Sequence, residues 1–390
     1  MEYQENAALH ELLRMAVSDS PCIFTHKLSA KEWNELHSVC IKQLLSAVVY
    51  RAICRLPKEQ QPPLELAFQW ASEAETVKGH NKLLNAMAAK YTEQFATQNR
   101  KTAILKGSAN ARLYPDPFMR QAGDIDLWVE GGRKSVIALL KKMKFEFDEK
   151  EIIAPHHVHI QKAENDITLE IHFRPSSGNL NPFSSRRLLC FLENEIQNVE
   201  HVPEGFNVPS IKFALAMQLA HIQRHFFSGG IGFKQLVDYY ILLQHASEEE
   251  RQEISSKLSS FGLLKLCSAL MWIMDYVFKL DPEKMLCKPN EKLGKKLLAE
   301  VYRGGHFGKY GHSGLPDIYR NAIVRWLKYK WRRIRLFWFS PSEVLLGEIG
   351  YWFTFIIGTI PLRIKKRRFA LSETKKLNRT QEKSNGETFF

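Results

Sequence analysis

The sequence predicts an α+β protein with a small mixed sheet of α/β pattern, flanked by helical regions on both sides. Two observations predict it. Apolar residues recur at three- and four-residue spacing before residue 95 and again after Ser210. Between about 100 and 175, short apolar or alternating runs are interrupted by one segment of helix length. The chain accordingly divides into an N-terminal helical region (1–95), a core (96–205), a second helical domain (206–330), a basic-aromatic segment (331–370) and a polar tail (371–390) expected to be disordered.

In order along the chain, Trp33 to Ala52 and Leu64 to Tyr91 carry helical spacing, separated by Pro57 and the Pro62-Pro63 pair. No chemistry is evident in either, and a helical layer packed on the sheet is the expectation. Thr102 to Leu105 reads as a short strand, Gly107-Ser108 as a tight turn, and Ala109 to Leu113 as the start of a helix. Asp124 to Val129 reads as a buried strand, Arg133 to Lys144 as a helix, and Phe145 to Phe147 and Val158 to Ile160 as strands. Asp166 to Phe173 alternates as a strand, with Thr168, Glu170 and His172 on one face. Pro175 to Phe183 is rich in Pro, Ser, Gly and Asn and reads as a loop.

The chemistry concentrates between Leu105 and Val129. A strand's period of two puts Asp124 and Asp126 on one face, where two carboxylates repel unless cations neutralise them. Hard, oxygen-seeking Mg²⁺ (or Mn²⁺) suits such a pair and clamps a polyphosphate. Gly107 and Ser108 can offer backbone N–H groups to a phosphate, and a helix starting there would aim its positive end at it. If the Glu170 strand pairs beside the Asp-Ile-Asp strand, three carboxylates converge.

This order of strand, Gly-Ser, helix, Asp-x-Asp strand and later acid-bearing strand resembles the nucleotidyltransferase superfamily with the DNA polymerase beta-like fold. It is similar, more closely, to a poorly characterised bacterial nucleotidyltransferase family. The shared motifs are Leu105-Lys106-Gly107, Tyr114-Pro115, Arg120 to Leu127, Glu170-Ile171-His172, His221 to His225 and Val237-Asp238. The resemblance spans roughly 95–245 and implies a nucleoside triphosphate substrate and an unknown hydroxyl acceptor. On it, Asp124 and Asp126 hold Mg²⁺, and Glu170 holds a second metal or takes the acceptor's proton. Gly107 and Ser108 bind phosphates, with Lys106 and Arg120 as charge stabilisers. The spacing from Gly107 to Asp124 is longer than the superfamily's usual one, so the loop geometry differs. The family's link to bacterial surface polysaccharide suggests a glycan-related acceptor. Two alternatives stand: a non-catalytic nucleotide-binding or membrane adaptor on the same scaffold, and a glycosyltransferase using Asp124-x-Asp126 to hold a nucleotide sugar.

His156, His157, His159 and His172 form a second concentration. His157 and His159 share a strand face as metal ligands could, but the sequence fixes no fourth ligand, so ordinary histidines beside an active site are expected. His172 flanks Glu170 and could orient a carboxylate or phosphate. On Ser210 to Phe227, Gln218, His221 and His225 form one stripe that could face the nucleotide. After Gly229-Gly230 and Gly232, Lys234 and Asp238 fall one turn apart, so Lys234 is a candidate phosphate contact with Asp238 holding it.

Composition bounds the rest. The chain has 390 residues, a formal net charge of +13 and 45% hydrophobic content, enough for a globular core. Its six cysteines include no Cys-x-x-Cys pair, and the acidic N-terminus lacks a signal-peptide pattern, so a reducing cytoplasm is expected. Between Arg325 and Arg368, eleven basic residues face only Glu343 and Glu348, interleaved with aromatics. Ser340-Pro341-Ser342-Glu343 is a helix start and Gly358 with Pro361 a stop. The charge-free run from Ile349 to Leu362 is too short to span a bilayer. An anionic membrane surface at the inner face is the favoured partner, ahead of packing on the protein and of nucleic acid.

Overall fold

The computed structural model describes residues 6–19, 21–147, 156–161, 163, 165, 167–304, 322–354 and 356. Four helices come first: α1 (Ala7–Ala16), α2 (Ala30–Gln43), α3 (Ser46–Ile53) and α4 (Leu64–Ala96). The continuous helical spacing from Trp33 to Ala52 is broken in space. Leu44 adopts the left-handed conformation (φ 55°) and its N–H closes α2 on the Cys40 and Ile41 carbonyls.

The core follows as β1 (Thr102–Ile104), α5 (Ser108–Ala111), β2 (Asp124–Val129), α6 (Gly132–Lys142), β3 (His157–Ile160) and β4 (Thr168–His172). The sheet has the order β1-β2-β4-β3, with β2 and β4 parallel and both outer pairings antiparallel. It is the expected small mixed sheet. Phe145 to Phe147 contributes a single bridge, Phe147 to Ile160, and not a strand. Asp166 lies outside the described residues.

Alternation decides what each face of the sheet meets. Ile125, Leu127 and Val129 on β2, with Leu169 and Ile171 on β4, pack into a core with Leu84, Ala88 and Phe95 of α4 and Val136 and Leu140 of α6. The opposite face carries Asp124, Asp126, Glu170, His172, His157 and His159, and turns toward the second helical layer. Burying five aliphatic side chains on one face, each worth about 1.5–3 kcal/mol, fixes the register that puts the acids on the other.

The remaining elements are α7 (Pro182–Glu195), the hairpin β5 (Val199–His201) and β6 (Asn207–Pro209), then α8 (Ile211–Ser228), α9 (Phe233–His245), α10 (Glu248–Lys257), α11 (Leu264–Phe278), α12 (Glu291–Gly304), α13 (Ala322–Arg335) and α14 (Pro341–Thr354). A large helical core runs through α8, α9, α11 and α12 and takes in Leu9, Leu12, Trp33 and Val49 from α1–α3. The N-terminal region is therefore not one layer on the sheet. Only α4 lies there, while α1–α3 join the helical body, where Gln43 donates to the Val301 carbonyl and accepts from Phe233 N–H.

Candidate active site

Gly107 ends β1 with φ 65° and ψ −112°, a conformation that side chains resist, and the chain turns into α5 there. The helix expected over Ala109 to Leu113 is a single turn, so little dipole is available, and the Ala109 N–H is already bonded to the Lys106 carbonyl. The turn nevertheless brings Lys106 to the Asp124 and Asp126 carboxylates and Gly107 close to the Asp124 backbone carbonyl, whereas Ser108 is buried.

On β2 and β4, Asp126 pairs in register with Glu170, and Asp124 with Thr168. Asp126 is buried, at 1% exposure of its side chain, whereas Asp124 opens outward at 36%. Lys106 Nζ forms an ion pair with Asp126 and lies 3.5 Å from Asp124 Oδ2. His172 Nε2 sits 3.0 Å from Asp126 Oδ1 and 3.4 Å from Glu170 Oε2, bridging the two acids.

Electrostatics separate these groups. Burial pushes Asp126 up, but the Lys106 ammonium and the His172 hydrogen bond override it and hold the carboxyl well below the usual range. Burial and the neighbouring Asp126 charge raise Asp124, against the pull of Lys106. Burial lowers His172, yet its hydrogen bonds to Asp126 and Glu170 win and raise it. Lys106 thus holds Asp126 ionised far more firmly than it holds Asp124.

A cavity of about 330 Å³ lies between this sheet face and α8, lined by Lys106, Asp124, Asp126, Glu170, His221 and Arg224 among others. The His221 and His225 rings lie 4.3 Å apart. Burial depresses both, His221 far below its usual value and His225 to about 4, with His225 and Lys106 respectively adding repulsion. Burial thus favours the uncharged form of both imidazoles. Arg224, which the sequence reading passed over, supplies a cation, and its guanidinium donates to the Ser177 carbonyl (3.3 Å). It falls three residues after His221, so the polar stripe of α8 contained the signal.

Arg120 and Asp238 have a different place from the one expected. Arg120 Nε and Nη2 donate to the two Asp238 oxygens at 2.6 and 2.7 Å, and the Tyr114 hydroxyl donates to Asp238 Oδ1 at 2.6 Å. Gln218 on α8 donates to Asp238 Oδ2 (3.4 Å) and accepts from Asn110 (3.3 Å). Asn81 of α4, where no chemistry was foreseen, donates to the Phe118 and Arg120 carbonyls. This buried network bolts the loop between α5 and β2 to α8 and α9. Asp238 is consequently bound to Arg120, with Lys234 a weaker neighbour. Burial and then the Arg120 charge depress Lys234 to about 7.

The whole arrangement, from α4 through the sheet to α11, falls within one family match: residues 29–279 fit the family described as "Uncharacterised nucleotidyltransferase". The chain belongs to this family. No curated protein matches the chain. Among solved structures, it is similar to an antigenic nucleotidyltransferase-like protein from Paracoccidioides brasiliensis at 14% identity, over 54% of this chain and 95% of that one, with a TM-score of 0.34. Membership supports nucleotidyltransferase chemistry in general for this chain.

Proposed function

We propose that this nucleotidyltransferase-family protein transfers a nucleoside monophosphate from a nucleoside triphosphate to a hydroxyl acceptor, assisted by Mg²⁺ or Mn²⁺. The observation that carries the reading is the cross-strand pairing of Asp126 with Glu170, two residues from Asp124, on a sheet face that opens into the cavity. The donor set fits a hard divalent ion: clustered carboxylate oxygens whose charge Lys106 and His172 offset in part. Asp124, Asp126 and Glu170 would hold the ion, which when bound neutralises triphosphate and acids together.

The chain's own groups account for the remainder. Lys106 exchanges its carboxylate partners for a phosphate, and Gly107 and Ser108 give the close backbone approach. Lys234 and Arg224 add positive charge, while Arg120 and Asp238 position the loop instead of touching phosphate. The acceptor oxygen forms the new bond to the α-phosphorus as the bond to pyrophosphate breaks, and the hydroxyl proton passes to Glu170, or to water where Glu170 holds the ion. His172 holds Asp126 and Glu170 in place for this. The acceptor is taken to be a glycan-related hydroxyl. Calorimetric binding of the four triphosphates with Mg²⁺ tests the reading, comparing wild type with Asp124→Asn, Asp126→Asn. Metal-dependent binding that is lost in the variant is expected, and pyrophosphate release must follow with a competent acceptor; release of nucleoside diphosphate from a nucleotide sugar would favour glycosyl transfer instead.

The C-terminal helices suggest where the acceptor is met. On one face, Phe339 packs against Phe226 of α8 at 4.8 Å, and Leu336 and Val344 are buried. Glu343 is buried as well. Instead of solvating the helix start, its oxygens accept from Asn181 N–H (3.1 Å) and the Ser184 hydroxyl (2.8 Å) on α7. The other face leaves Trp331, Ile334, Trp338, Ile349, Trp352 and Phe353 exposed. Much of the basic charge is spent internally, Arg332 and Arg335 on Glu300, and Lys330 and Arg333 on Glu348. Gly358, Pro361 and the basic cluster from Arg363 to Arg368 lie outside the described residues. No helix among the described residues is long and apolar enough to cross a membrane. The exposed aromatic face supports peripheral binding at the inner face of the membrane. Trp331→Ser, Trp352→Ser should weaken sedimentation with phosphatidylglycerol vesicles at least tenfold, about 1.4 kcal/mol; unchanged sedimentation would remove the membrane from the proposal.

A further inference from the structure

Across the sheet from Asp124, the site changes its chemistry. On β3, the strand at the sheet edge, His159 stands in register with Glu170 and His157 with His172. Imidazoles, not carboxylates, therefore border the far side of Glu170. Its Oε1 lies 3.1 Å from His159 Nε2 and its Oε2 lies 3.8 Å from His157 Nδ1. Ligand atoms of His157, His159 and Glu170 fall within 4.8 Å of one another. A tetrahedral shell with bonds near 2.0–2.1 Å spaces its ligands roughly 3.3 Å apart, so small ring rotations complete it.

Two further observations point to an ion. His157 Nδ1 is buried and has no hydrogen-bond partner among the described residues, although it faces a carboxylate. Asp126, Glu170 and His172 form a second group meeting the same distance limit, with Glu170 common to both. The sequence offers His157 and His159 without further ligands, and the antiparallel pairing of β3 with β4 brings the missing carboxylate.

We propose that His157, His159 and Glu170 form a second cation site that takes a nitrogen-preferring first-row ion of the Zn²⁺ or Fe²⁺ class, and that Glu170 is shared with the oxygen-lined site of Asp124 and Asp126. Imidazole donors select such ions, whereas the aspartate side suits Mg²⁺. Three protein donors leave a coordination position open, and an ion there lowers the pKa of a bound water or acceptor hydroxyl. The inference rests on the nucleotidyltransferase reading only through Glu170.

The test uses Co²⁺ alone, added to metal-stripped full-length protein without nucleotide, with its visible ligand-field bands as readout. Wild type should bind one Co²⁺ with bands of low-coordinate geometry. His157→Gln and His159→Gln should each weaken binding by more than about a hundredfold, beyond the 10–100-fold that loss of a supporting partner costs. Asp124→Asn should keep the bands while losing Mg²⁺-triphosphate binding, so the two readings fail separately. Bands lost in Asp124→Asn but kept in both histidine variants would overturn the inference, as would their absence in wild type. X-ray absorption of the Co²⁺-loaded wild type needs no folded variant: imidazole scattering supports the site, and oxygen-only scattering refutes it.

Discussion

Asp238→Asn isolates the role of the buried network between the core loop and the helical body. The Arg120 and Asp238 side chains are 5% and 1% exposed, so the bidentate pair is almost fully withdrawn from water. The substitution removes the charge and turns one acceptor oxygen into a donor facing Arg120 or Tyr114, which both donate to Asp238. An uncompensated guanidinium in such surroundings costs about 3–5 kcal/mol. Replacing both partners by apolar groups, in Arg120→Met, Asp238→Leu, removes that charge and should restore most of the loss. Denaturant unfolding followed by circular dichroism and tryptophan fluorescence measures both variants. Burial raises Asp238, but Arg120 lowers it further, so the folded pKa lies below the ordinary one. The pair's stabilisation is therefore complete above about pH 4 and is lost as pH falls through the folded pKa. A loss under about 1 kcal/mol in Asp238→Asn would refute the clamp. So would a double variant no more stable than the single one. Weakened triphosphate binding by Arg120→Met at unchanged stability would return Arg120 to the phosphate.

Three other outcomes follow from the site. Lys106→Met frees Asp126 from its ammonium, so Mn²⁺ should bind the nucleotide-free protein about tenfold more tightly, while triphosphate affinity in calorimetry falls; an unchanged Mn²⁺ titration would show that the lysine does not compete for the acids. Lys234, depressed to about 7, carries its charge below that pH and loses it above, so triphosphate affinity should decline as pH rises through 7. Lys234→Arg should flatten that profile, and a slope that survives belongs to another group. Gly107→Ala meets only the Asp124 carbonyl at 3.4 Å, so the φ of 65° and not crowding is the obstacle. The strain of about 1–3 kcal/mol should appear as lost stability and a displaced Lys106; a variant with native melting temperature and native triphosphate affinity would show that the turn tolerates a side chain.

The C-terminal segment and the edge histidines show where sequence reading stops. Basic residues mixed with aromatics from Arg325 onward suggested an electrostatic surface, yet Glu300 on α12, some thirty residues upstream, takes up Arg332 and Arg335. Charge counted along a chain does not reveal which charges cancel across a fold. Arg120 and Asp238, likewise, are 118 positions apart, and no local pattern makes them partners.

What the amino-acid order determined by itself was local and periodic. Alternation put Asp124 with Asp126, and Glu170 with His172, on single faces, and helical spacing marked the flanking regions. Tertiary structure decided which faces meet. The parallel pairing of β2 with β4 set Asp126 beside Glu170, and β3 at the sheet edge gave Glu170 its histidines. Packing of α8 over that face closed the cavity, and docking of α9 paired Arg120 with Asp238. Strand order and helix docking are fixed by burial of apolar surface summed over the whole chain. No short window of sequence contains that sum.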